Sequence, residues 1–244
     1  MTSPAFPAAD STPVTVAGPV GALELIVEAP DAAARPLVAI VCHPLPTEGG
    51  TMHNKVVTIA ARALRESGAA TVRFNFRGIG MSEGTFDDGD GEADDLRAVA
   101  AWVRQQRPDA QLWLAGFSFG AYVTLKVAAE LDPGMLISIA PPAGRSWDFA
   151  AIEPPGCPWL VIQGEADEIV DPAAVYAWLD GLKQLRQPPE LVKMPDTSHF
   201  FHRRLMDLRG AIKNGVKPFL PRVETLSRAA TSKAAPSGTA APHD

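Results

Sequence analysis

The sequence predicts an α/β fold in which a mostly parallel sheet is covered by helices on both faces. Short apolar runs alternate with helical segments along most of the chain, as in successive β-α-β units. Residues 37–42 are continuously apolar, as expected for a strand that is buried on both faces. Residues 112–115 form a second such run, followed by a G-x-S-x-G motif and a helical segment over residues 121–131. A chain of 244 residues suits one domain of this kind.

Composition divides the chain into three parts. Residues 1–11 are rich in Pro and Ala and are expected to be loose. Residues 12–222 contain all the predicted strands and helices and form the single domain. Residues 227–244 are a low-complexity tail of Ala, Ser, Thr and Pro, which we expect to be disordered.

Charge and composition exclude several classes of function. The net charge of −6 argues against a nucleic-acid partner, because Lys and Arg are nowhere concentrated enough to neutralise phosphates. No apolar run approaches a membrane span, and residues 1–12 lack the basic and apolar regions of a signal peptide. Cys42 and Cys157 resemble small buried hydrophobes rather than a disulfide framework. We therefore expect a cytoplasmic protein that acts on a small-molecule substrate without binding membranes; a homodimer is left open.

The first part of the domain begins with two short strands and continues with alternating strands and helices. Residues 12–16 and 22–28 flank a Gly-Pro turn, and their alternating pattern predicts an antiparallel pair at a sheet edge. The apolar strand over residues 37–42 comes next. It is followed by a helix over residues 54–67, which Gly68 ends, and by a strand over residues 70–76.

An acidic run, residues 87–95, leads into a helix that extends to about Gln106. The run loosely resembles a calcium loop, but Ala93 occupies the position where such a loop needs its invariant glycine. Acidic residues also favour the start of a helix, where backbone N–H groups are unpaired. We therefore interpret the run as a capped helix start and expect no metal site. Beyond the motif, we predict strands over residues 135–140, 159–162 and 190–194 and helices over residues 172–185 and 204–220.

The motif over residues 116–120 predicts a nucleophile elbow, a strand-to-helix turn so tight that its serine is strained. Ser118 is then the nucleophile, with its Oγ held above the sheet. Gly116 and Gly120 are required because a Cβ at either position would collide with the neighbouring strand or helix. The helix that starts here directs its unpaired N–H groups towards negative charge forming beside the hydroxyl.

A serine nucleophile needs a base, and the base needs an acid that orients it. Asp167 ends the turn after the strand over residues 159–162, and His199 follows the last strand by a short loop. The order Ser, Asp, His along the chain is the one found where such an elbow carries a triad. Because the carboxyl ends of parallel strands meet at one edge of the sheet, Ser118, Asp167 and His199 are expected to converge.

Each partner has alternatives along the chain. Asp171 is the second candidate acid, but Pro172 after it makes Asp171 a good helix N-cap. Asp196 is a further alternative for orienting the base, whereas we interpret Glu165 as a solvated turn residue.

The alternatives to His199 as the base are weaker. His202 is the second choice, but it lies near the start of the closing helix. His243 is in the low-complexity tail and is dismissed.

The oxyanion of a tetrahedral intermediate needs two N–H donors. The amide of Phe119, directly after the nucleophile, is the first. The second should come from the loop after the strand over residues 37–42, where Pro44 and Pro46 have no N–H, so that Leu45 remains. His43, in the same loop, either packs beneath it as a structural residue or contacts the substrate.

Several motifs resemble the α/β-hydrolase superfamily: the elbow, an Arg-Gly-x-Gly-x-Ser turn at residues 77–82, Gly-x-x-Asp at residues 164–167 and Ser-His-Phe-Phe at residues 198–201. More narrowly, residues 43–46, 49–52, 54–57 and 73–78 are similar to those of a small bacterial branch of predicted serine hydrolases that lacks a lid domain. The resemblance covers about residues 20–220. That branch commonly has His-Pro-His-Pro, and Leu45 here replaces the second histidine, so no side-chain role is carried over to this position.

The resemblance implies a sheet of α/β-hydrolase type and a serine hydrolase that acts on ester-type bonds. His199 would take the proton of Ser118, which attacks a carbonyl, while Asp167 holds the imidazole in the required tautomer. No metal or organic cofactor is needed. Short-chain carboxylic esters or thioesters are the expected substrates. A peptidase or amidase with the same triad, and a non-catalytic binding protein with the same fold, are the alternatives.

A lid in this fold normally inserts after the strand over residues 135–140, where only residues 141–158 are available here. This segment is too short for a helical cap with its own core, and it contains five prolines. We therefore expect an open, shallow cleft bordered by residues 47–52, Phe86 and Trp147. His43, Phe86 and Trp147 are the candidate substrate contacts. Such a cleft holds a long acyl chain poorly, so short acyl groups are expected to be preferred.

Overall fold

The computed structural model describes residue 6 and residues 11–183 and 185–223, and in it eight strands form one sheet flanked by five α-helices. The strands are β1 (Thr12–Gly18), β2 (Gly21–Glu28), β3 (Leu37–Cys42), β4 (Ala70–Phe74), β5 (Gln111–Phe117), β6 (Met135–Ile139), β7 (Trp159–Gly164) and β8 (Glu190–Met194). The helices are α1 (Lys55–Glu66), α2 (Asp90–Gln106), α3 (Phe119–Leu131), α4 (Pro172–Gly181) and α5 (Leu205–Val216). Short 3-10 helices cover Pro46–Glu48 and Lys217–Phe219.

The strand order is β1-β2-β4-β3-β5-β6-β7-β8. β1 and β2 pair antiparallel, as do β2 and β4, and all pairs from β4 to β8 are parallel. The predicted mostly parallel sheet with an antiparallel edge is therefore confirmed. Strands β4 and β5 lie on opposite sides of β3, so the connections after β3 and β5 diverge. A crevice therefore opens at the carboxyl ends of these two strands.

The alternation of side chains along the central strands builds a hydrophobic core on each face of the sheet. In β3, Val38, Ile40 and Cys42 belong to one core and Leu37, Ala39 and Val41 to the other. Helices α2, α3 and α4 cover the first face, and α1 and α5 cover the second. Residues 141–158 contain neither a helix nor a strand, in agreement with the predicted lack of a lid.

Two helices are shorter than their sequence pattern predicts. Helix α4 ends at Gly181, four residues before the predicted limit, because Leu182 adopts an extended backbone with φ −67° and ψ 128°. Helix α5 ends at Val216 and continues as a 3-10 turn, since Pro218 has no N–H for a further α-helical hydrogen bond. Within the described part of the chain, no helix is both long enough and apolar enough to cross a bilayer.

The acidic run forms the start of α2, as the helix-cap interpretation predicts. The carboxylate of Glu92 accepts the N–H of Gly89 at 2.7 Å and the N–H of Asp87 at 3.0 Å, which satisfies donors ahead of the helix. The buried carboxylate of Asp95 accepts from the guanidinium of Arg77 at 2.8 Å and from its backbone N–H at 2.9 Å. These carboxylates therefore cap the helix and hold the turn after β4.

The predicted tail, residues 227–244, lies outside the described residues, and so does most of the predicted loose N-terminal segment. Phe6 belongs to that segment and stacks on Trp102 with 5.6 Å between ring centroids. Its N–H donates to the side chain of Gln106 at 3.1 Å. At this residue, the segment contacts helix α2.

The junction of β5 and α3 brings backbone segments unusually close together. A Cβ at Gly116 would lie 2.2 Å from the carbonyl oxygen of Gly120, and a Cβ at Gly120 would lie 2.5 Å from the carbonyl oxygen of Cys42. Both contacts are with backbone atoms, which cannot move aside cheaply. Glycine is therefore required at both positions, as the motif predicts.

Replacement of Gly116 by Ala is expected to lower the free energy of unfolding by about 3 kcal/mol, because the added methyl group overlaps the backbone of Gly120. Urea unfolding followed by circular dichroism measures this change. The matched control is Gly210→Ala in α5, where a Cβ would meet nothing within 4 Å. That control should stabilise the protein by about 0.5–1 kcal/mol, as alanine does inside a helix. Equal unfolding midpoints for Gly116→Ala and the wild type would contradict the close contact.

Candidate active site

Ser118 lies at the turn between β5 and α3 in a backbone conformation that side chains rarely adopt. Its φ is 53° and its ψ is −119°, a strained combination for any residue except glycine. The N–H of Ser118 donates to the carbonyl oxygen of Ile139 at 2.8 Å, which ties the turn to the end of β6. Ser118 lines an open cleft although it is only 9% exposed. The predicted elbow is therefore present in the backbone.

The structure brings together the side chains of Ser118, Asp167 and His199. The distance from His199 Nε2 to Ser118 Oγ is 3.1 Å, and the distance from His199 Nδ1 to Asp167 Oδ2 is 2.8 Å. The three residues follow β5, β7 and β8, so they meet at one edge of the sheet. An ionised Asp167 only accepts hydrogen bonds, so Nδ1 carries the proton and Nε2 can accept from the Ser118 hydroxyl. This arrangement can move a proton from Ser118 to His199.

Hydrogen-bond donors surround the buried carboxylate of Asp167. Its Oδ1 accepts the N–H of Ile169 at 2.9 Å and that of Val170 at 2.8 Å, and its Oδ2 accepts from His199. Burial raises the pKa of Asp167, but the hydrogen bonds from His199, Val170 and Ile169 outweigh it, and the pKa lies below its ordinary value. Asp167 is therefore an anion at neutral pH and can stabilise a positive charge on His199.

The alternative acids and bases lie elsewhere. Asp171 caps helix α4 by accepting the N–H of Ala173 at 2.9 Å, as predicted. Glu165 and Asp196 are exposed, and Asp196 lies in a turn at φ 49°. His202 is exposed in the turn before α5. The remaining candidate base, at residue 243, lies outside the described residues.

The loop after β3 forms a tight turn beside Ser118. The carbonyl oxygen of Leu45 accepts the N–H of Gly50 at 3.0 Å and the N–H of Glu48 at 3.2 Å. Leu45 lines the same cleft as Ser118. Among the described residues, the amide N–H groups of Leu45 and Phe119 donate to no acceptor. Either group can therefore donate to a bound ligand.

His43 is a structural residue beneath this loop. It is completely buried, its Nε2 accepts the N–H of Phe76 at 3.1 Å, and its Nδ1 donates to the carbonyl oxygen of Pro44 at 2.7 Å. Burial lowers the pKa of His43 to about 4, so the ring is neutral at physiological pH. Of the two interpretations given above, the structure supports packing. The choice of His43 as a substrate contact was wrong, because both ring nitrogens already bind the backbone and no part of the ring reaches the surface.

Two further buried side chains, which the sequence analysis did not identify, hold the far end of the same loop. Asn75 Oδ1 accepts the N–H of Met52 at 2.9 Å, and Arg73 Nη1 donates to the carbonyl oxygen of Met52 at 2.7 Å. Arg73 is held in turn by Glu28, with 2.9 Å between Nε and Oε2. Because Asn75 and Phe76 bind the loop, strand β4 ends at Phe74, two residues before the predicted limit.

An open cleft of about 530 Å³ lies over Ser118. Its walls combine apolar side chains with charged ones: Leu45, Trp147, Ile169 and Phe200 in the first group, and Glu48, Arg145 and Glu168 in the second. Trp147 lines the cleft, as predicted, and its Nε1 donates to Asp88 at 3.1 Å. Phe86 does not line it and was a wrong choice, because its half-buried ring packs on Phe119 with 5.7 Å between centroids.

Two residues near Asp167 were also missed in the sequence. The amide Nε2 of Gln163 donates to Asp167 Oδ2 at 3.0 Å, and the carboxylate of Glu168 accepts the N–H of His199 at 3.1 Å. Glu168 directly follows the predicted acid and Gln163 directly precedes Gly164, and these positions were the only signal in the sequence. Neither residue belongs to a recognisable motif, so the contacts became visible only in the fold.

Comparisons with known proteins agree with this fold. The family described as "Serine aminopeptidase, S33" matches residues 40–156. An uncharacterised protein of Rickettsia prowazekii is 34% identical over 186 residues, which cover 72% of this chain and 77% of that protein. The structure of an α/β serine hydrolase without lid from Xanthomonas campestris is 64% identical, with a TM-score of 0.86, and the match covers 91% of this chain and all (100%) of that one. The structure of an α/β serine hydrolase homologue from Coxiella burnetii is 44% identical, with a TM-score of 0.81, and covers 86% and 99% of the two chains.

The burial of His43 predicts a specific loss of stability in acid. The folded protein holds the ring neutral down to about pH 4, whereas in the unfolded chain the imidazole has its ordinary pKa of 6.5. The stabilisation is therefore complete above about pH 7 and is lost as the pH falls towards 4, by about 3 kcal/mol in total. Urea unfolding at several pH values between 7 and 4 measures it.

The matched variant is His43→Gln, which keeps an acceptor for the N–H of Phe76 but does not titrate. Its free energy of unfolding should fall less steeply between pH 7 and pH 4, because residue 43 then no longer contributes to the slope. Identical slopes for the variant and the wild type would show that His43 is not held neutral by the fold.

Proposed function

The chain belongs to the α/β-hydrolase superfamily, and we propose that it is a serine hydrolase that cleaves carboxylic ester or thioester bonds of small substrates. The observation that carries this proposal is the continuous hydrogen-bonded path from Asp167 through His199 to the strained Ser118, with steps of 2.8 and 3.1 Å. A path of this kind supplies a nucleophile, a base and an orienting acid in one place.

The first half of the proposed reaction forms an acyl-enzyme. Ser118 Oγ attacks the carbonyl carbon while its proton passes to His199 Nε2, and Asp167 stabilises the resulting imidazolium. The amide groups of Leu45 and Phe119 donate to the oxygen that becomes negative. When the tetrahedral intermediate collapses, His199 gives the proton to the leaving alcohol or thiol.

The second half regenerates the enzyme. A water molecule gives a proton to His199 Nε2 as its oxygen attacks the acyl carbon, and the same two amide groups stabilise the second intermediate. Its collapse releases the acid and returns the proton to Ser118 Oγ. His199 acts as the base in both halves, so its imidazole must be neutral when each half begins.

The open cleft supports small substrates with short acyl groups. Leu45, Trp147 and Phe200 offer apolar contacts near Ser118, but residues 141–158 form no cap over them. A site of this shape excludes water poorly and buries little of a long chain. Esters and thioesters also place fewer demands on the site than amides, because their leaving groups depart more readily.

An aminopeptidase is the second candidate, and the cleft itself gives a reason to test it. The name of the matching family refers to such an enzyme. An aminopeptidase must bind the positively charged amino terminus of its substrate, and the carboxylates of Glu48 and Glu168 both line the cleft. A ligand-binding protein without catalysis is less well supported, because binding alone does not need the path from Asp167 to Ser118.

A substrate panel with one chromophore tests the proposal. The wild type should hydrolyse 4-nitrophenyl acetate and butyrate with a higher kcat/KM than the octanoate, and should cleave the matched amide, 4-nitroacetanilide, far more slowly. An alanine 4-nitroanilide, with its free amino group, tests the aminopeptidase. A rise in kcat/KM towards long acyl chains would contradict the open-cleft argument, and faster cleavage of the anilides than of the esters would favour the peptidase.

The control for this panel is Ser118→Ala. It should lower ester hydrolysis by about 10³-fold or more, since the remaining groups only bind and polarise the carbonyl. Unchanged hydrolysis in this variant would mean that Ser118 is not the nucleophile.

A further inference from the structure

Gln163 lies on β7 directly below the loop that carries Asp167, and it is completely buried. Its Nε2 donates to Asp167 Oδ2 at 3.0 Å and to the carbonyl oxygen of Gly164 at 3.2 Å. We infer that Gln163 is a positioning residue that fixes the Asp167 carboxylate opposite His199. This inference rests on the proposed function, in which Asp167 orients the base.

The bonds around Asp167 show what Gln163 adds. Ile169 and Val170 donate to Oδ1, whereas His199 and Gln163 donate to Oδ2. Without Gln163, Oδ2 would accept a hydrogen bond from His199 alone among the described residues. The carboxylate could then rotate whenever the imidazole moves. A second donor from a rigid strand fixes Oδ2 independently of His199. The imidazole then has one fixed acceptor against which to orient.

The hydrogen bonds of Gln163 indicate that the N–H groups of its amide are the part that matters at this position. Its Oε1 is buried and finds no hydrogen-bond partner among the described residues. A buried polar atom without a partner costs free energy, so an apolar side chain of similar size would serve packing better at this position. The two hydrogen bonds that Nε2 donates offset this cost, and one of them is to Asp167.

The orientation of the amide follows from its neighbours. The two atoms that face this end of the side chain are the carboxylate oxygen of Asp167 and the carbonyl oxygen of Gly164, and both only accept. Rotating the amide by half a turn would place Oε1 against two acceptors. The position therefore needs a donor, which glutamine supplies at every pH.

Two variants separate a donor at this position from simple packing. Gln163→Met keeps the length and burial but has no N–H, and we expect kcat for 4-nitrophenyl acetate to fall about tenfold with KM within about twofold of the wild type. Gln163→Glu supplies an O–H donor while it is neutral. Asp167 faces this side chain and is itself bonded to His199, and Lys193 of β8 pairs with Gln163 across the sheet. The charge of Asp167 favours the protonated form of the new carboxyl and that of Lys193 its ionised form, and the carboxyl is protonated at low pH.

The comparison between the two variants is made at low and at neutral pH. At the lowest pH where the wild type is active, Gln163→Glu should be several times faster than Gln163→Met. Its advantage should disappear as the pH rises and the new carboxyl loses its proton. Equal activities at low pH, or a kcat for Gln163→Met equal to that of the wild type, would overturn the inference. If Gln163→Met does not fold, the ratio of kcat for Gln163→Glu to kcat for the wild type is measured across pH. The inference predicts that this ratio falls as the pH rises, and a constant ratio would overturn it.

The control for lost stability is Ser138→Ala on the neighbouring strand β6. Ser138 is also completely buried, and its Oγ accepts from Trp159 Nε1 at 3.0 Å, without touching Asp167 or His199. This variant loses one buried hydrogen bond and should keep the wild-type kcat and pH profile. A drop in kcat as large as that of Gln163→Met would show that any buried hydrogen bond in the sheet has this effect, which overturns the inference.

A measurement that needs no substrate keeps the inference apart from the proposed function. The downfield ¹H NMR resonance of the His199 Nδ1 proton reports its hydrogen bond to Asp167 in the full-length protein. It should move in Gln163→Met and stay in place in Ser138→Ala. If the wild type hydrolyses no ester and the resonance still moves, the proposed function fails and the positioning role stands. An unmoved resonance in Gln163→Met overturns the positioning role whatever the activity.

Discussion

The close approach of backbone at the start of helix α3 is the constraint on which the rest of the site depends. Gly120 lies against the carbonyl groups of Cys42 and His43 at the end of β3, where a Cβ would come within 2.5 Å of the former and 2.6 Å of the latter. This contact places the first turn of α3 beside the loop after β3. Ser118 and Leu45 therefore line the same cleft, although they belong to segments that follow two different strands.

Buried polar side chains keep the loops around this region in place. His43, Asn75 and Arg73 use neutral or paired groups to hold the backbone between Pro44 and Met52. The loop's own backbone hydrogen bonds are concentrated in the turn between Leu45 and Gly50. Each side-chain bond contributes only about 1 kcal/mol, but removing one partner would leave a buried group unsatisfied and cost more. Strand β4 and the two residues after it, Asn75 and Phe76, therefore hold this loop in place.

The sequence predicted the elements that local pattern controls and missed those that depend on contacts across the fold. Ser118 was recognised from glycines two residues away on each side, and Asp167 and His199 from their positions after strands. Nothing local could show that Phe86 would turn its ring onto Phe119 and away from the cleft. The roles of Gln163 and Asn75 were also hidden, because a buried amide has no characteristic spacing and its partners are fixed only when strands and loops assemble.

The central claim, that His199 activates Ser118, is tested most directly by the rate of labelling with a fluorophosphonate probe, followed by peptide mass spectrometry. The account predicts one phosphonyl group per chain, attached to Ser118, and a labelling rate that falls by about 10³-fold or more in His199→Ala. The matched variant His202→Ala should label at the wild-type rate, because His202 is exposed in the turn before α5. Labelling at another residue, or equal rates in His199→Ala and the wild type, would contradict the account.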